Sequence, residues 1–569
     1  MMGEAAAERP WYKYYEPGVR TNLEIPEITL VEMFNRTEQR FPDNPALIFA
    51  GKTTSYHEMN ILIDRLAKVF IQRGVQKGDR ISIFMPNSDN WVITFFAILR
   101  VGAVAVQTNT LYVENELKAL LQDSGAIGVV SIPQLLPRIA PIQKEVGLKL
   151  VALDWLSGFS GLTGLGLADN PVFMDLEESL ADTSLDQVEA PLIESRSDEL
   201  AVLQYTGGTT GTSKGVMLSH RNLVANAMQA WEWIEGSEGK ERVLTVLPLF
   251  HIYALTACMN LALISGGAMI ILPKFDIDVV LGHINDYAPT FFPGAPTMYV
   301  AVINHPRIKE YKVSSIRFCL SGSAPLPKEV ALRFGELTGG RLVEAYGLSE
   351  ASPATHLNPI FHARVGSIGV PAPNTDAKIM DLETGQNELQ PGEIGELVIK
   401  GDQVMLAYWQ KPEETENVLK NDWLYTGDIA YMDEDGFFYI VDRKKDMIIS
   451  GGYNVYPRDV EEVLYTHPAV REAVCAGIPD DYWGEMVKAY IVLKDGASTT
   501  EEEVLAYCQG KLAAYKIPKK LEFREGLPKT AVGKVLRRYL VEEELENMRE
   551  QKRVYAALAD TQEEAAVSS

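Results

Sequence analysis

Tyr205-Thr206-Gly207-Gly208-Thr209-Thr210-Gly211-Thr212-Ser213-Lys214-Gly215 is the stretch around which the rest of the chain can be read. An apolar run at 200–203 leads in and another at 216–218 leads out, which predicts strand–loop–strand. Its four glycines let the backbone turn through positive φ and leave no Cβ between the loop N–H groups and a ligand. Threonine and serine hydroxyls add donors, and Lys214 adds a point positive charge. Such a concavity of donors suits a polyphosphate. It is not a Walker A loop, because Gly215 rather than Ser or Thr follows Lys214 and no helix follows directly. The plainer alternative is an exposed Gly/Thr loop.

Outward from this loop the chain alternates. Upstream, helices are expected at Leu30–Arg40, after the N-cap Ser55 as far as Gly74, at 90–100 and at 113–123. Strands are expected at 46–49, Arg80–Phe84, 103–106 and 127–131. This is the βαβ pattern of a largely parallel sheet covered on both faces. Residues 157–166, rich in Gly and Ser, read as a surface loop. Downstream, Ser219 caps a helix, 243–247 is a strand, and 290–292 and 316–321 are further strands. From 392 the pattern becomes β-rich, with strands at 395–400, 423–425 and 437–441. The charge run Asp442-Arg443-Lys444-Lys445-Asp446 reads as a hinge. A small α+β unit follows it, with helices from Pro457 to about 466 and at 501–512, strands at 473–478 and 489–493, and a charged helix from Leu536. The expected class is α/β: a large domain at 1–442 with mixed sheets, flanking helices and a β-rich section, then a small α+β domain at 443–569.

At 569 residues the chain exceeds one ordinary core. A net charge of −24 argues against nucleic acid as a partner, since phosphate backbones are bound by clustered Lys and Arg. Cys258, Cys319, Cys475 and Cys508 form no CxxC pair, which suits free thiols in a reducing compartment rather than a zinc site. The N-terminus shows neither a basic region nor an apolar run, so a cytoplasmic location is expected. The stretch 254–272 carries no charge, yet Asn260 and Ser265-Gly266-Gly267 break it into a buried helix and a buried strand. Peripheral contact with the inner face of the cell membrane is left open.

Four further stretches supply what a nucleotide site lacks. Glu344-Ala345-Tyr346-Gly347-Leu348-Ser349-Glu350 offers an aromatic face for a purine, a glycine for close approach, and Glu350 as a carboxylate for Mg²⁺. Tyr425-Thr426-Gly427-Asp428 places a carboxylate after a glycine turn, where it can accept from ribose hydroxyls. Ser321-Gly322-Ser323-Ala324-Pro325 is a small-residue corner that lets a ligand approach the backbone. Pro528-Lys529-Thr530-Ala531-Val532-Gly533-Lys534 puts a lysine on a Pro/Gly loop. Each alone reads equally as an ordinary turn, cap or solvated side chain.

In combination they say more. The Thr/Gly/Lys loop, YGLSE at 346–350, YTGD at 425–428, DRKKDMIISGGYNVYP at 442–457 and PKTAVGKVLRR at 528–538 follow in this order. Together they resemble the AMP-forming adenylating superfamily of acyl-CoA synthetases, luciferases and peptide-synthetase adenylation domains, across essentially the whole chain. LPLFHIYALT at 247–256 and QVMLAYW at 403–409 look most like the bacterial long-chain fatty acid–CoA ligases.

The resemblance implies a carboxylate attacking the α-phosphate of Mg·ATP, then displacement of AMP by coenzyme A. It assigns the β/γ phosphates to Thr206, Gly207, Gly208, Thr209, Thr210, Gly211 and Lys214, and Mg²⁺ to Thr206 with Glu350. Adenine falls to Tyr346, beside Glu344 and Gly347, and the ribose to Asp428 helped by Arg443. Lys534 bridges carboxylate and α-phosphate, and with Thr206 and Glu350 forms the catalytic set. Lys445 is the pivot about which the small domain rotates, bringing Gly451 and Gly452 to coenzyme A. His251, Gly294, Pro296, Gly322, Ser323 and Ala324 border the acyl pocket. A homodimer and acids of C12 or longer are also implied. Medium-chain or aryl acid ligation, acyl transfer to a carrier protein, and an inactive lipid- or nucleotide-binding protein are the alternatives.

Overall fold

The computed structural model describes residues 9–550 except 155–161, 163–164, 166, 168, 188–192, 207–212, 325, 451–452, 481–482, 510 and 531–532. Most of the loop expected at 157–166 therefore lies outside the described residues.

Local sequence signals place the helices. Thr29 caps Leu30–Arg40 and Ser55 caps Tyr56–Gln72, each through a capping box with the glutamate three residues on. Ser219 does the same for His220–Trp233 with Asn222. Asp89–Arg100 is apolar almost all round and is correspondingly buried on nearly every side.

An eight-stranded sheet has the spatial order Ala407–Tyr408, Lys214–Ser219, Leu200–Thr206, Val104–Gln107, Arg80–Phe84, Gly128–Ser131, Leu150–Leu153, Phe173–Asp175. From Leu200–Thr206 onward its neighbours are all parallel; Lys214–Ser219 returns antiparallel. A second sheet runs Lys52–Ser55, Pro45–Phe49, Ala268–Ile271, Arg242–Thr245. Single parallel bridges at Phe291 join it to Phe318–Ser321, Arg341–Gly347, Ala354–Leu357 and Val370–Pro371. The strand expected at 290–292 is thus reduced to a bridge. A third sheet orders Thr375–Met380, Gly395–Gly401, Trp423–Met432 and Leu419–Lys420, with Phe438–Arg443 also on Trp423–Met432.

The charge-free stretch after His251 folds as Ile252–Ala254, a π-helical Leu255–Asn260, Leu261–Ser265, a left-handed Gly266 and the strand Ala268–Ile271. Nearly every residue in it is buried. Among the described residues no helix is long and apolar enough to cross a membrane.

Two compact units emerge. The first comprises Met1–Lys378, Val398–Thr426 and Met432–Tyr439; the second comprises Ile379–Leu397, Gly427–Tyr431 and Ile440–Ser569. The second is α+β and built on a long hairpin, Val470–Asp480 with Gly484–Leu493. Period-two alternation sends Ala473, Cys475, Val487 and Ala489 to one face, where Val460, Leu464 and Val504 of two helices cover them. Val474, Ala476, Ile478 and Met486 go to the other face, closed by Leu527 and Leu540. Both strands outrun the expected 473–478 and 489–493, and the helix expected at 501–512 stops at Cys508.

Candidate functional site

The Thr/Gly/Lys loop springs from a hairpin. Thr206 ends Leu200–Thr206, Lys214 opens Lys214–Ser219, and the two are paired across the ladder. Ser213 Oγ donates to Thr206 O at 2.6 Å and closes the neck. Gly207, Gly208, Thr209, Thr210 and Gly211 lie outside the described residues.

At the neck a compact corner forms. The short strand Ala407–Tyr408 pairs with Lys214–Ser219, which carries the Tyr408 ring to within 5.0 Å of Lys214 Nζ. Lys214 also forms an ion pair with Glu414. Burial pulls the Lys214 ammonium below its ordinary pKa, Glu350 opposes this, and Lys411 adds to it. Tyr408 Oη donates to Glu350 Oε1 at 2.7 Å, and Met405 N–H donates to Glu350 O at 2.8 Å. Glu350 is therefore fixed through both its carboxylate and its backbone. One carboxylate, with a hydroxyl such as that of Thr206, fits Mg²⁺, which takes few protein oxygens and completes its shell with phosphate and water. Among the described residues no group of three His, Cys, Asp or Glu gathers to hold a metal without such help.

The remaining candidates of the first unit share the carboxyl ends of parallel strands, where open α/β sheets bind ligands. His251 follows Arg242–Thr245 and caps the next helix, its Nδ1 accepting from Tyr253 N–H at 3.2 Å. Gly294 bridges Ser321 in parallel, and Pro296 opens the helix Pro296–Ile303. Gly322 N–H donates to Gly294 O at 3.2 Å. A Cβ at Gly294 would sit 3.0 Å from Tyr299 Oη, and one at Gly322 would sit 3.1 Å from the Tyr253 ring. Both glycines thus let tyrosines pack directly on the strand ends. Ser323 holds φ 70°, a strained value for a residue with a Cβ, and Ala324 follows it half-buried.

Glu344 and Tyr346 lie on Arg341–Gly347 beside this corner. Leu326 N–H donates to Glu344 Oε2 at 3.2 Å. Tyr346 pairs with His356 and meets its ring edge-on at 5.9 Å. His356 is wholly buried, which drives its pKa down to about 3 and keeps it neutral behind Tyr346. A Cβ on Gly347 would lie 2.1 Å from Pro353 O, so close approach here requires glycine.

The second unit gathers a different set. Asp428 does not follow a glycine turn, as the sequence suggested, but stands inside the ten-residue strand Trp423–Met432. Gly427, at φ 72°, bends the strand without ending it. Its N–H donates to the buried Glu396 at 3.1 Å, and Lys444 Nζ reaches the other oxygen of Glu396 at 2.9 Å. Arg443 Nε lies 3.3 Å from Asp428 Oδ1. Lys534 sits on a tight hairpin: Thr530 N–H donates to Lys534 O at 2.8 Å, and Gly533 takes φ 81°. Burial lowers the half-buried Lys534 ammonium to about 7; Arg443 and Lys445 add to that, while Asp428 and Asp446 oppose it. Asp428, Arg443 and Lys534 are thus brought within one another's electrostatic reach. Lys445 is exposed, and Gly451 and Gly452 lie outside the described residues.

Sequence reasoning passed over Tyr408, Glu414, Glu396 and Arg537. Tyr408 stood in a quoted motif, but its contact with Glu350 depends on a strand pairing that no local pattern encodes.

The chain matches the family model "AMP-binding enzyme" over residues 34–409 and "AMP-binding enzyme C-terminal domain" over 459–534. It is 46% identical over 558 residues to a protein of Bacillus subtilis (strain 168) named long-chain-fatty-acid–CoA ligase, spanning 95% of this chain and 99% of that one. A protein of the same name from Escherichia coli O6:H1 is 38% identical over 560 residues, spanning 94% and 98%. Among solved structures, ATP-bound MatB from Rhodopseudomonas palustris is similar with a TM-score of 0.81 at 33% identity, over 91% of this chain and 99% of that chain. The strand-end corner, the hairpin neck and the α+β second unit are thus the parts of a shared architecture, and the chain belongs to the AMP-binding enzyme family.

Proposed function

We propose that this chain is an ATP-dependent, AMP-forming ligase that converts long-chain fatty acids to their coenzyme A thioesters. The observation that carries the reading is the corner where Lys214, Tyr408 and Glu350 meet at the neck of the Thr/Gly loop. A lysine suited to phosphate beside a fixed carboxylate suited to a divalent cation supports this reading. Near end-to-end likeness to proteins named long-chain-fatty-acid–CoA ligase supports the choice of substrate.

In the first step a carboxylate oxygen of the acid bonds to the α-phosphorus of ATP and the bond to the β-phosphate bridging oxygen breaks, releasing pyrophosphate. In the second the coenzyme A sulfur bonds to the acyl carbonyl carbon, gives up its proton, and displaces AMP. Thr206, the loop from Gly207 to Gly211, and Lys214 hold the β and γ phosphates. Tyr346 faces adenine, with Glu344 and Gly347 shaping that edge, and Asp428 with Arg443 takes the ribose. His251, Gly294, Pro296, Gly322, Ser323 and Ala324 border the acyl group. Lys534 supplies positive charge where negative charge builds on the α-phosphate and carboxylate oxygens. Thr206 and Glu350 would hold Mg²⁺, which would supply positive charge against the phosphates. The boundary at 442/443, the pivot at Lys445, and the role of Gly451 and Gly452 toward coenzyme A belong to the same reading.

The test is Lys534→Ala. It binds ATP as the parent does but forms adenylate about 10²–10³ times more slowly, the loss expected for one preorganised donor at developing charge. Adenylation at the parent rate contradicts the assignment.

A further inference from the structure

Arg537 reaches three carboxylates from separate stretches of the second unit. Past the strand Phe438–Arg443 the chain turns at once, with Asp446 and Met447 N–H donating to Arg443 O at 3.0 and 3.1 Å. Three of the carboxylates at this turn face Arg537. Asp442 is buried and accepts from Arg443 N–H at 2.7 Å and from Arg458 N–H at 2.9 Å, at the start of the helix Pro457–Tyr465. Glu461 accepts from Cys475 N–H at 2.7 Å on the long hairpin. Asp446 is the third.

A single guanidinium reaches all of them. Arg537 Nη2 donates to both oxygens of Glu461 at 2.7 and 2.9 Å, and Nη1 donates to Asp446 at 3.0 Å and lies 3.8 Å from Asp442. A planar fork suits this arrangement, and a lysine ammonium does not.

Arg537 stands three residues after Lys534. Leu536 N–H donates to Pro528 O at 2.8 Å and Lys529 pairs with Val535, so the Lys534 hairpin is closed immediately before the arginine. The next residue, Arg538, shows what an ordinary surface arginine does here: it pairs with Glu542 one turn along its own helix. The apolar closure of this face is supplied separately by Leu527 and Leu540. Arg537 ties the chain just after the lysine hairpin to the 442–446 turn through direct side-chain ion pairs.

We propose that Arg537 is a positioning residue for Lys534, locking the lysine hairpin to Asp446 and Glu461, both past Lys445, so that the hairpin and the helix Pro457–Tyr465 move as one piece. This rests on the reading of Lys534 as the adenylation lysine and Lys445 as the pivot.

The experiment uses the full chain with Arg537→Met and, as a gentler variant that keeps the shape, Glu461→Gln. Amide hydrogen exchange is followed in segments 446–450 and 528–536, with the helix Glu501–Cys508 as internal control. In both variants the two segments exchange together about tenfold or more faster while the control is unchanged. Adenylation kcat falls about tenfold or more with the KM for ATP nearly constant, and thioester formation from supplied acyl-adenylate falls less. Unchanged exchange in 528–536 overturns the proposal. So does a matching rise in the control helix of either variant, which would make Arg537 a fold-holding residue only. Coupled exchange in a protein whose parent form makes no adenylate from fatty acids leaves the lock standing and refutes the functional reading instead.

Discussion

Lys534 shows how far one residue's surroundings shape the chemistry. An ammonium lowered to about 7 is half discharged at neutral pH until anions meet it. Burial and the neighbouring Arg443 and Lys445 act to discharge it; Asp428 and Asp446 act to keep it charged. Triphosphate and carboxylate add negative charge and push the same way as the two aspartates. On the role proposed for Lys534 the protonated form is the useful one, so kcat/KM for adenylation is predicted to fall as pH rises through about 7. The corresponding limb of kcat, which reports the loaded enzyme, lies at higher pH. In Lys534→Arg the guanidinium stays charged throughout, so the limb near neutrality disappears even though the rate drops. A pH–rate profile of pyrophosphate release checks both statements, and an unchanged limb in the arginine variant contradicts them.

At the scale of elements, what could be read in advance divides by the range of the cause. Ser55 and Ser219 mark helix starts because a cap hydroxyl acts within one turn, and the structure begins those helices directly after the caps. Arg80–Phe84 carries its own β-branched and aromatic pattern and was legible for the same reason. The hairpin around the Thr/Gly loop was legible as strand–loop–strand, though not the antiparallel register that pairs Thr206 with Lys214. Gly427 misled because a glycine before an aspartate signals a turn locally, whereas pairing and the Glu396 carboxylate carry the strand through it. The corner of Lys214, Tyr408 and Glu350 joins residues far apart in sequence, which only the fold can do. Gly427 also gives a prediction at this scale. No atom lies within 4 Å of a Cβ added there, so Gly427→Ala pays only for positive φ. That costs about 1–2 kcal/mol, or roughly 2–8 °C in melting temperature for a unit of this size, measurable by calorimetry. A loss several times larger would mean that the bend at Gly427 is not a local backbone matter.

The whole molecule follows from two different solutions to burial. The first unit buries apolar strands between helices and gathers loops at their carboxyl ends, so that His251, Gly294, Gly322 and Gly347 each lie at or just past a strand's end. The uncharged stretch after His251 serves this interior, and its lack of charge reflects nearly complete burial in protein. The second unit buries both faces of one hairpin and holds its lysine at the end of a short loop. The parallel sheet was foreseeable from the alternation of elements; acyl chain length was not, because it depends on cavity depth rather than on any motif. The measurement that tests the central claim most directly is therefore coenzyme A-dependent AMP release across saturated acids from C6 to C18, with benzoate included. A maximum between C12 and C18, with one AMP formed per coenzyme A consumed, is the predicted result. A maximum at short acids or benzoate, or no AMP with any acid, would contradict it.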